Sequence, residues 1–414
     1  MITYDSTRES EQLRYLRTDI AHFIQRYASK PASPGRRTLF LFAGGMASQL
    51  LRARTSYRDD GTLQTFQYDN YWLSPLTFLG GALFLGMQKQ ADDSFRDFDN
   101  RLVIPSGVVN FLGLAPYSRF TQWCELNNLD WYIFSWDWRR RLDDTVNFFF
   151  TQFLPLFRAE VQIQCGADPL QQFILMGHSF GGMIVKLMLH RNEAILNNMT
   201  QAVTVASPFY GYDGQIRRWF QGEPLLNHVG PFDFTLDMIK VITSLPGCYV
   251  LPYLDHDTFV ANKLALQGDA NFPLADYPST DATTGLPVDP FIPGPDRYPT
   301  DTGFDQDELT FALNTYRTIA APLPAAYADK FYSIRGGSAR APGSIKWGTL
   351  TGPLNPKLPQ VSKGPDGPGD DTQPAWSTRL VTLAPDRIVA VGGKVHHMLM
   401  MDDDATQAAI AQVL

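Results

Sequence analysis

The ten residues FILMGHSFGG, at positions 173–182, carry a serine set up for covalent chemistry. An apolar run ends in Gly177-His178-Ser179-Phe180-Gly181, and a helix-like stretch, GGMIVKLML, follows. A serine on a strained strand-to-helix turn needs small neighbours two residues to either side, because side chains there would strike the strand or the helix. G-x-S-x-G in this setting lifts the hydroxyl above a sheet, near the positive end of a helix, where it can attack a carbonyl carbon. The five-residue pattern alone is weak; the apolar lead-in and the helix behind it give it weight.

A nucleophilic serine needs a base, an acid that orients the base, and donors for the oxyanion. The donors expected are the backbone N–H of Phe180 and one from an early strand-to-loop turn, here LFLFAGGMAS (39–48) with Gly44 and Gly45. Acid and base should follow in the order Ser, Asp, His, each just past a late strand. DGPGDDTQPAW (366–376) offers Asp370 and Asp371, with Asp366 a weaker third, and GGKVHHMLM (392–400) offers His396 and His397. His22, His190, His228 and His256 sit in helical or cap-like stretches, and His178 points away beside the nucleophile, so these are read as structural.

Such side chains converge only if strands and loops place them. Six short β-rich runs end in turn signals: Thr38–Gly45, Asp130–Trp138, Gln172–Ser179, Gln201–Pro208, Lys330–Gly337 and Asp386–Gly393. Continuous apolar runs of this kind predict strands buried on both faces, as in a parallel sheet. Helical patterns alternate with them, at Asp143–Gln164, Gly181–Ala194 and Ala405–Leu414 among others. The expected fold is α/β, a mostly parallel central sheet with helices on both faces. Residues 1–209 and 329–414 are assigned to the core, and 210–328, with its Pro- and Gly-rich stretch, to a cap insertion. A lid-like segment is expected at about residues 50–90, around the apolar run YWLSPLTFLGGALFLGM (71–87), which is too short and too interrupted by Pro75 and a Gly pair for a membrane span. GPLNPKLPQVSKGPDGPGDDTQP (352–374) reads as a long loop or hairpin excursion.

Composition excludes several function classes. The 414 residues are 44% hydrophobic and carry a net charge of −7 without a long basic run, which argues against nucleic acid as a partner. Three cysteines, Cys124, Cys165 and Cys248, form neither a disulfide framework nor a zinc motif. The polar start MITYDSTRESEQLR shows no signal peptide, so a cytoplasmic location is expected. Asp137 and Arg139, in SWDWRR, read as a buried ion pair, and the aspartates of MDDDATQAAIAQVL as helix caps and not metal ligands.

Taken in order, these stretches resemble the lecithin:cholesterol acyltransferase family of α/β-hydrolases, which includes lysosomal phospholipase A2. LFAGGMASQL resembles the family's oxyanion stretch, FSWDWRR its Tyr-Asp-Trp-Arg motif, GPGDDTQPAWS its acid segment and KVHHMLMM its base segment. The chain departs at Ala43, where the family has proline, at Gln373, where it has valine, and in lacking cysteines around residues 50–75. The resemblance implies an α/β-hydrolase fold with a cap and a triad of Ser179, Asp370 and His397. It places the oxyanion amides at Gly45 and Phe180, with no metal or organic cofactor. It also implies lipid esters as substrates at a membrane surface, with an alcohol as acceptor in the acyltransferase alternative, while the missing lid cysteines and the Pro-rich cap leave room for a soluble hydrophobic ester or lactone. A binding protein that had kept the fold and lost catalysis would lack one member of the triad; here all three residue types are present in order.

Overall fold

The computed structural model describes residues 4–31, 35–53, 68–72, 85–97, 102–109, 115–223, 227–229, 232–267, 277–292, 304–337, 339–348 and 361–414. The six apolar runs become six strands of one sheet: β1 (Thr38–Phe42), β2 (Asp130–Phe134), β3 (Phe173–His178), β4 (Met199–Val205), β5 (Phe331–Gly336) and β6 (Ile388–Val391). Their order across the sheet is β6-β5-β4-β3-β1-β2, and every neighbouring pair is parallel. The chain therefore steps outward from β1 to β2, returns to β1's other side with β3, and then proceeds away to β6. That reversal opens a crevice beyond the carboxyl ends of β1 and β3, where α/β sheets bind ligands.

Alternation along each strand explains the two layers of helices. Phe40, Phe42, Phe173 and Leu175 face one way, into a core shared with α1 (Tyr4–Ser29) through Leu16, Ile20 and Phe23. Leu39, Leu41, Ile174 and Met176 face the other way, against Phe120 and Cys124 of α2 (Ser118–Leu126) and residues of the C-terminal helix. The helix expected over 143–164 is broken in its middle: α3 (Leu142–Phe148) passes through a π-helical turn, Phe149–Phe153, into α4 (Leu154–Cys165). Pro155 lacks an N–H and its ring would strike a carbonyl of the preceding turn, and the wider π turn relieves that conflict. The turn also aims Phe149 and Phe153 at Phe42 and Phe40, with ring centroids 5.0 and 6.1 Å apart.

Beyond β3 runs α5 (Phe180–Arg191), buried along nearly its whole length. Residues 210–328 hold α6 (Asp213–Gln221), α7 (Thr235–Thr243), α8 (His256–Gln267) and α9 (Gln306–Ala320). Lys186 of α5 donates a hydrogen bond to the Ala321 carbonyl at the end of α9, tying that segment to the core. Strand Ser279–Asp281 pairs with Ile345–Trp347, which pairs with Val361–Lys363, so the excursion after β5 shares a small sheet with the segment before it. α10 (Asp404–Val413) closes the chain, with Asp403 as its N-cap accepting from Thr406 N. The expected lid-like segment lies mostly at 54–67 and 73–84, outside the described residues; its flanks form antiparallel pairs, 48–53 with 103–108 and 87–89 with 95–97. No helix among the described residues is long and apolar enough to cross a membrane.

Past β2, Asp137 and Arg139 form the ion pair read from SWDWRR. Arg139 is fully buried and grips Asp137 through two hydrogen bonds, of 2.9 and 2.8 Å, while reaching Asp97 at 2.7 Å. Burial alone would raise the Asp137 pKa, but Arg139 and Arg140 reverse that and hold it at about 2. Removing one partner leaves uncompensated buried charge, which costs far more than the intact network contributes. We predict that Arg139→Ala lowers unfolding free energy by about 3–5 kcal/mol in urea titrations at neutral pH. Because the carboxyl's pKa is depressed, the wild-type advantage should persist above its unfolded value near 4 and vanish as pH falls toward 2.

Candidate active site

Ser179 ends β3 and starts α5 with φ 55° and ψ −126°, a backbone conformation that L side chains seldom adopt. Its N–H donates to the Val205 carbonyl at 2.8 Å and its own carbonyl accepts from Gly182 N at 3.0 Å, which fixes the turn. The flanking glycines are there for space. A Cβ on Gly177 would sit 2.5 Å from the Gly181 carbonyl oxygen, and one on Gly181 would collide with the Phe42 carbonyl of β1. The Ser179 side chain is half-buried at the carboxyl edge of the sheet.

His397 arrives from the other side of the sheet, in the turn after β6. Its Nε2 lies 2.8 Å from Ser179 Oγ, and its Nδ1 lies 2.8 Å from Asp370 Oδ2. Asp370 is 1% exposed; its second oxygen accepts from Gln373 N at 2.6 Å and Thr372 N at 3.2 Å. The His397 main-chain N–H donates to the Asp370 carbonyl at 2.9 Å, so the Asp370 and His397 loops are joined through main chain as well. An acceptor-only carboxylate at Nδ1 leaves Nε2 free to take a proton from the serine. Burial would lower the His397 pKa, but the charge and hydrogen bond of Asp370, with a smaller contribution from Asp371, raise it above 6.5.

Of the sequence candidates, the structure thus joins Ser179, His397 and Asp370 in one chain of contacts. Asp371 and His396 pair with each other instead, both exposed, alongside the buried pair. Asp366 sits exposed at the start of strand Asp366–Gly369, with Lys363 at 3.8 Å. The Gly44–Gly45 loop leaves β1 against this site: a Cβ on Gly44 would lie 3.2 Å from Ser179 Cβ, and one on Gly45 would lie 3.1 Å from the Phe180 ring. The Gly44 N–H is spent on the Tyr117 hydroxyl at 2.8 Å. Those of Gly45 and Phe180 make no hydrogen bond among the described residues, and Phe180 opens α5, where the helix offers no acceptor.

Two further residues brace the site: Tyr117, which had no signal in the sequence, and Trp136, which lies inside the FSWDWRR stretch but had no role read for it. Trp136 donates its indole N–H to the Ala43 carbonyl at 2.9 Å and packs its ring 5.1 Å from that of Phe180, bracing both loops that flank Ser179. Tyr117, at positive φ ahead of α2, holds Gly44 and approaches His178 Nδ1 at 2.9 Å. His178 is buried, its Nδ1 at this contact and its Nε2 3.0 Å from the His397 main-chain oxygen. Asp402 caps α2 by accepting from Phe120 N at 2.8 Å, so it is a cap, but of a distant helix. No group of three or more His, Cys, Asp or Glu side chains among the described residues could hold a metal ion.

A parallel sheet whose third strand runs into a strained serine, with acid and histidine in the turns after its last two strands, defines an α/β-hydrolase fold. No protein-family model and no curated protein matches the chain. It is similar to a solved structure described as "The crystal structure of Tle4-Tli4 complex", at 12% sequence identity over 92% of this chain and 98% of that chain, with a TM-score of 0.49.

A base whose pKa is raised must lose its proton before it can accept one. We predict that kcat/KM for any ester turned over at this site rises with pH through a value above about 6.5. Asp371→Asn should move that limb to lower pH, because it removes negative charge near His397; a pH–rate profile of the two proteins checks the direction.

Proposed function

We propose that the protein is a serine hydrolase that cleaves a hydrophobic carboxylic ester through an acyl-enzyme on Ser179. The observation that carries this is the continuous Ser179–His397–Asp370 contact chain, 2.8 Å at each link, at the crevice where the sheet order reverses. Ser179 Oγ attacks the ester carbonyl carbon while its proton passes to His397 Nε2. Negative charge then gathers on the former carbonyl oxygen, between the open N–H groups of Gly45 and Phe180 at the positive end of α5. Collapse expels the alcohol, which takes the proton from His397, and Ser179 keeps the acyl group. Water, deprotonated by the same histidine, attacks the acyl carbon; the bond from that carbon to Ser179 Oγ breaks, the proton passes from His397 to Ser179 Oγ, and the acid leaves. Asp370 holds the ring and stabilises the imidazolium through both steps. The chemistry closes with no metal or organic cofactor.

Support for a hydrophobic substrate comes from beside the base, where Met398 and Leu399 are 53% and 44% exposed. Apolar side chains left in water next to a reacting centre suit an acyl chain or apolar alcohol. The likeness to the lecithin:cholesterol acyltransferase family, carried by the 41–50, 134–140, 367–377 and 394–401 stretches, points the same way and adds acyl transfer to an alcohol as the competing fate of the acyl-enzyme.

Turnover of p-nitrophenyl esters of increasing chain length, with and without added alcohols, tests this. Ser179→Ala and His397→Ala should each cut turnover by about a thousandfold or more, while His396→Ala keeps most of it. Full activity in Ser179→Ala would sink the proposal, and loss in His396→Ala with retention in His397→Ala would exchange the roles of the two histidines. Medium or long chains should be preferred; the longer chains losing to acetate would remove the hydrophobic-ester assignment.

A further inference from the structure

Behind the reacting atoms, a line of hydrogen bonds joins the two loops that must act together. The Gly44 N–H donates to the Tyr117 hydroxyl at 2.8 Å, Tyr117 Oη lies 2.9 Å from His178 Nδ1, and His178 Nε2 lies 3.0 Å from the main-chain oxygen of His397. Both ends fix its direction. A peptide N–H can only donate and a carbonyl can only accept, so the Tyr117 O–H must donate to Nδ1 and the His178 proton must reside on Nε2. That arrangement requires a protonated phenol and a neutral imidazole. Burial, and then the neighbouring His397, push the His178 pKa down to about 3, and burial raises that of Tyr117, so both forms persist across the working range.

We propose that Tyr117 and His178 are positioning residues for the Ser179 reaction, holding the Gly44–Gly45 loop in register with the main chain of His397. This rests on the assignment of Ser179 as nucleophile and adds to it. Neither side chain touches Ser179 Oγ; each acts through a peptide group. The Tyr117 hydroxyl occupies the Gly44 amide, which leaves Gly45 as the donor that this loop can offer to an oxyanion. At the far end the His397 peptide is held on both sides, its N–H by the Asp370 carbonyl and its carbonyl by His178. A second tie runs in parallel, from Asp402, five residues past the base, to the first turn of α2 directly behind Tyr117. Tyr117 and His178 are 1% and 3% exposed, and every polar atom of the line has a partner inside it. A phenylalanine could fill the same space but could not carry the bonds. Satisfied buried networks of this kind specify one geometry, and oxyanion stabilisation depends on geometry at the level of tenths of an ångström.

Tyr117→Phe removes the central hydroxyl. His178→Gln keeps an amide donor within reach of the His397 carbonyl while losing the link to Tyr117. Active sites are counted by titration with a fluorophosphonate, and steady-state turnover of a p-nitrophenyl ester is expressed per titrated site. Each variant should lower kcat per site by about tenfold to a hundredfold with KM within about twofold, because the loss falls on the transition state. The pH limb set by His397 and Asp370 should stay in place. The double variant should be no slower than the slower single, since the line acts as a unit. Side chains that only fill the core would reduce the number of titratable sites and leave kcat per site unchanged, and that result would overturn the proposal. Should Tyr117→Phe give too little folded protein, His178→Gln decides by the same readout. Labelling at Ser179 with unchanged per-site turnover removes this inference alone; a wild-type protein that is never labelled removes the nucleophile assignment with it.

Discussion

The turn at Ser179 is the constraint on which the other parts depend. A residue at φ 55° directly after a fully buried strand is costly, and it persists only because its surroundings permit no alternative. Backbone meets backbone there: Gly181 lies against the Phe42 carbonyl of β1, and Gly177 against the first turn of α5. The same close packing that strains the serine brings β1's outgoing loop to its side. A larger residue at either glycine would push the helix off the strand and carry the Phe180 amide away from Gly45.

From that fixed point the site is assembled by chain topology and then tuned by burial. β5 and β6 lie two and three places from β3 across the sheet, yet the turns that follow them return to deliver Asp370 and His397 above Ser179. Two acid–histidine pairs arrive side by side, and their environments separate them. Asp370 and His397 are enclosed and bonded to main chain, whereas Asp371 and His396 meet in solvent. Charge interactions weaken steeply in water, so the outer pair acts on the inner histidine through a weakened field, beside one long contact from the His397 main-chain N–H to Asp371 Oδ1 at 3.4 Å.

How much of this was legible in the sequence follows from the range of the interactions involved. The six core strands show as continuous apolar runs because burial on both faces leaves no polar alternation, and the serine turn shows because its glycines are only two residues away. The choice between Asp370 and Asp371, or His396 and His397, is a matter of which neighbour is enclosed, and spacing left both open; only the family resemblance selected one of each. The bracing roles of Tyr117 and Trp136 are invisible for a plainer reason. Their partners, Gly44 and Ala43, lie 73 and 93 residues back along the chain, and nothing local marks a tyrosine or tryptophan as a brace. The π turn at Phe149–Phe153 hides inside an unbroken helical pattern with Pro155 as its one trace. The pairing of Ser279–Asp281 with Ile345–Trp347 joins two loop-like stretches that composition assigned to different parts of the molecule.

The central claim is that Ser179 is activated by its place in this frame, and covalent labelling reads that most directly. Folded protein treated with a fluorophosphonate, digested and mapped by mass spectrometry, should carry one adduct on Ser179, with labelling abolished by prior unfolding and greatly slowed in His397→Ala. An unmodified Ser179 in folded protein, or a label on another residue in its place, would contradict the account.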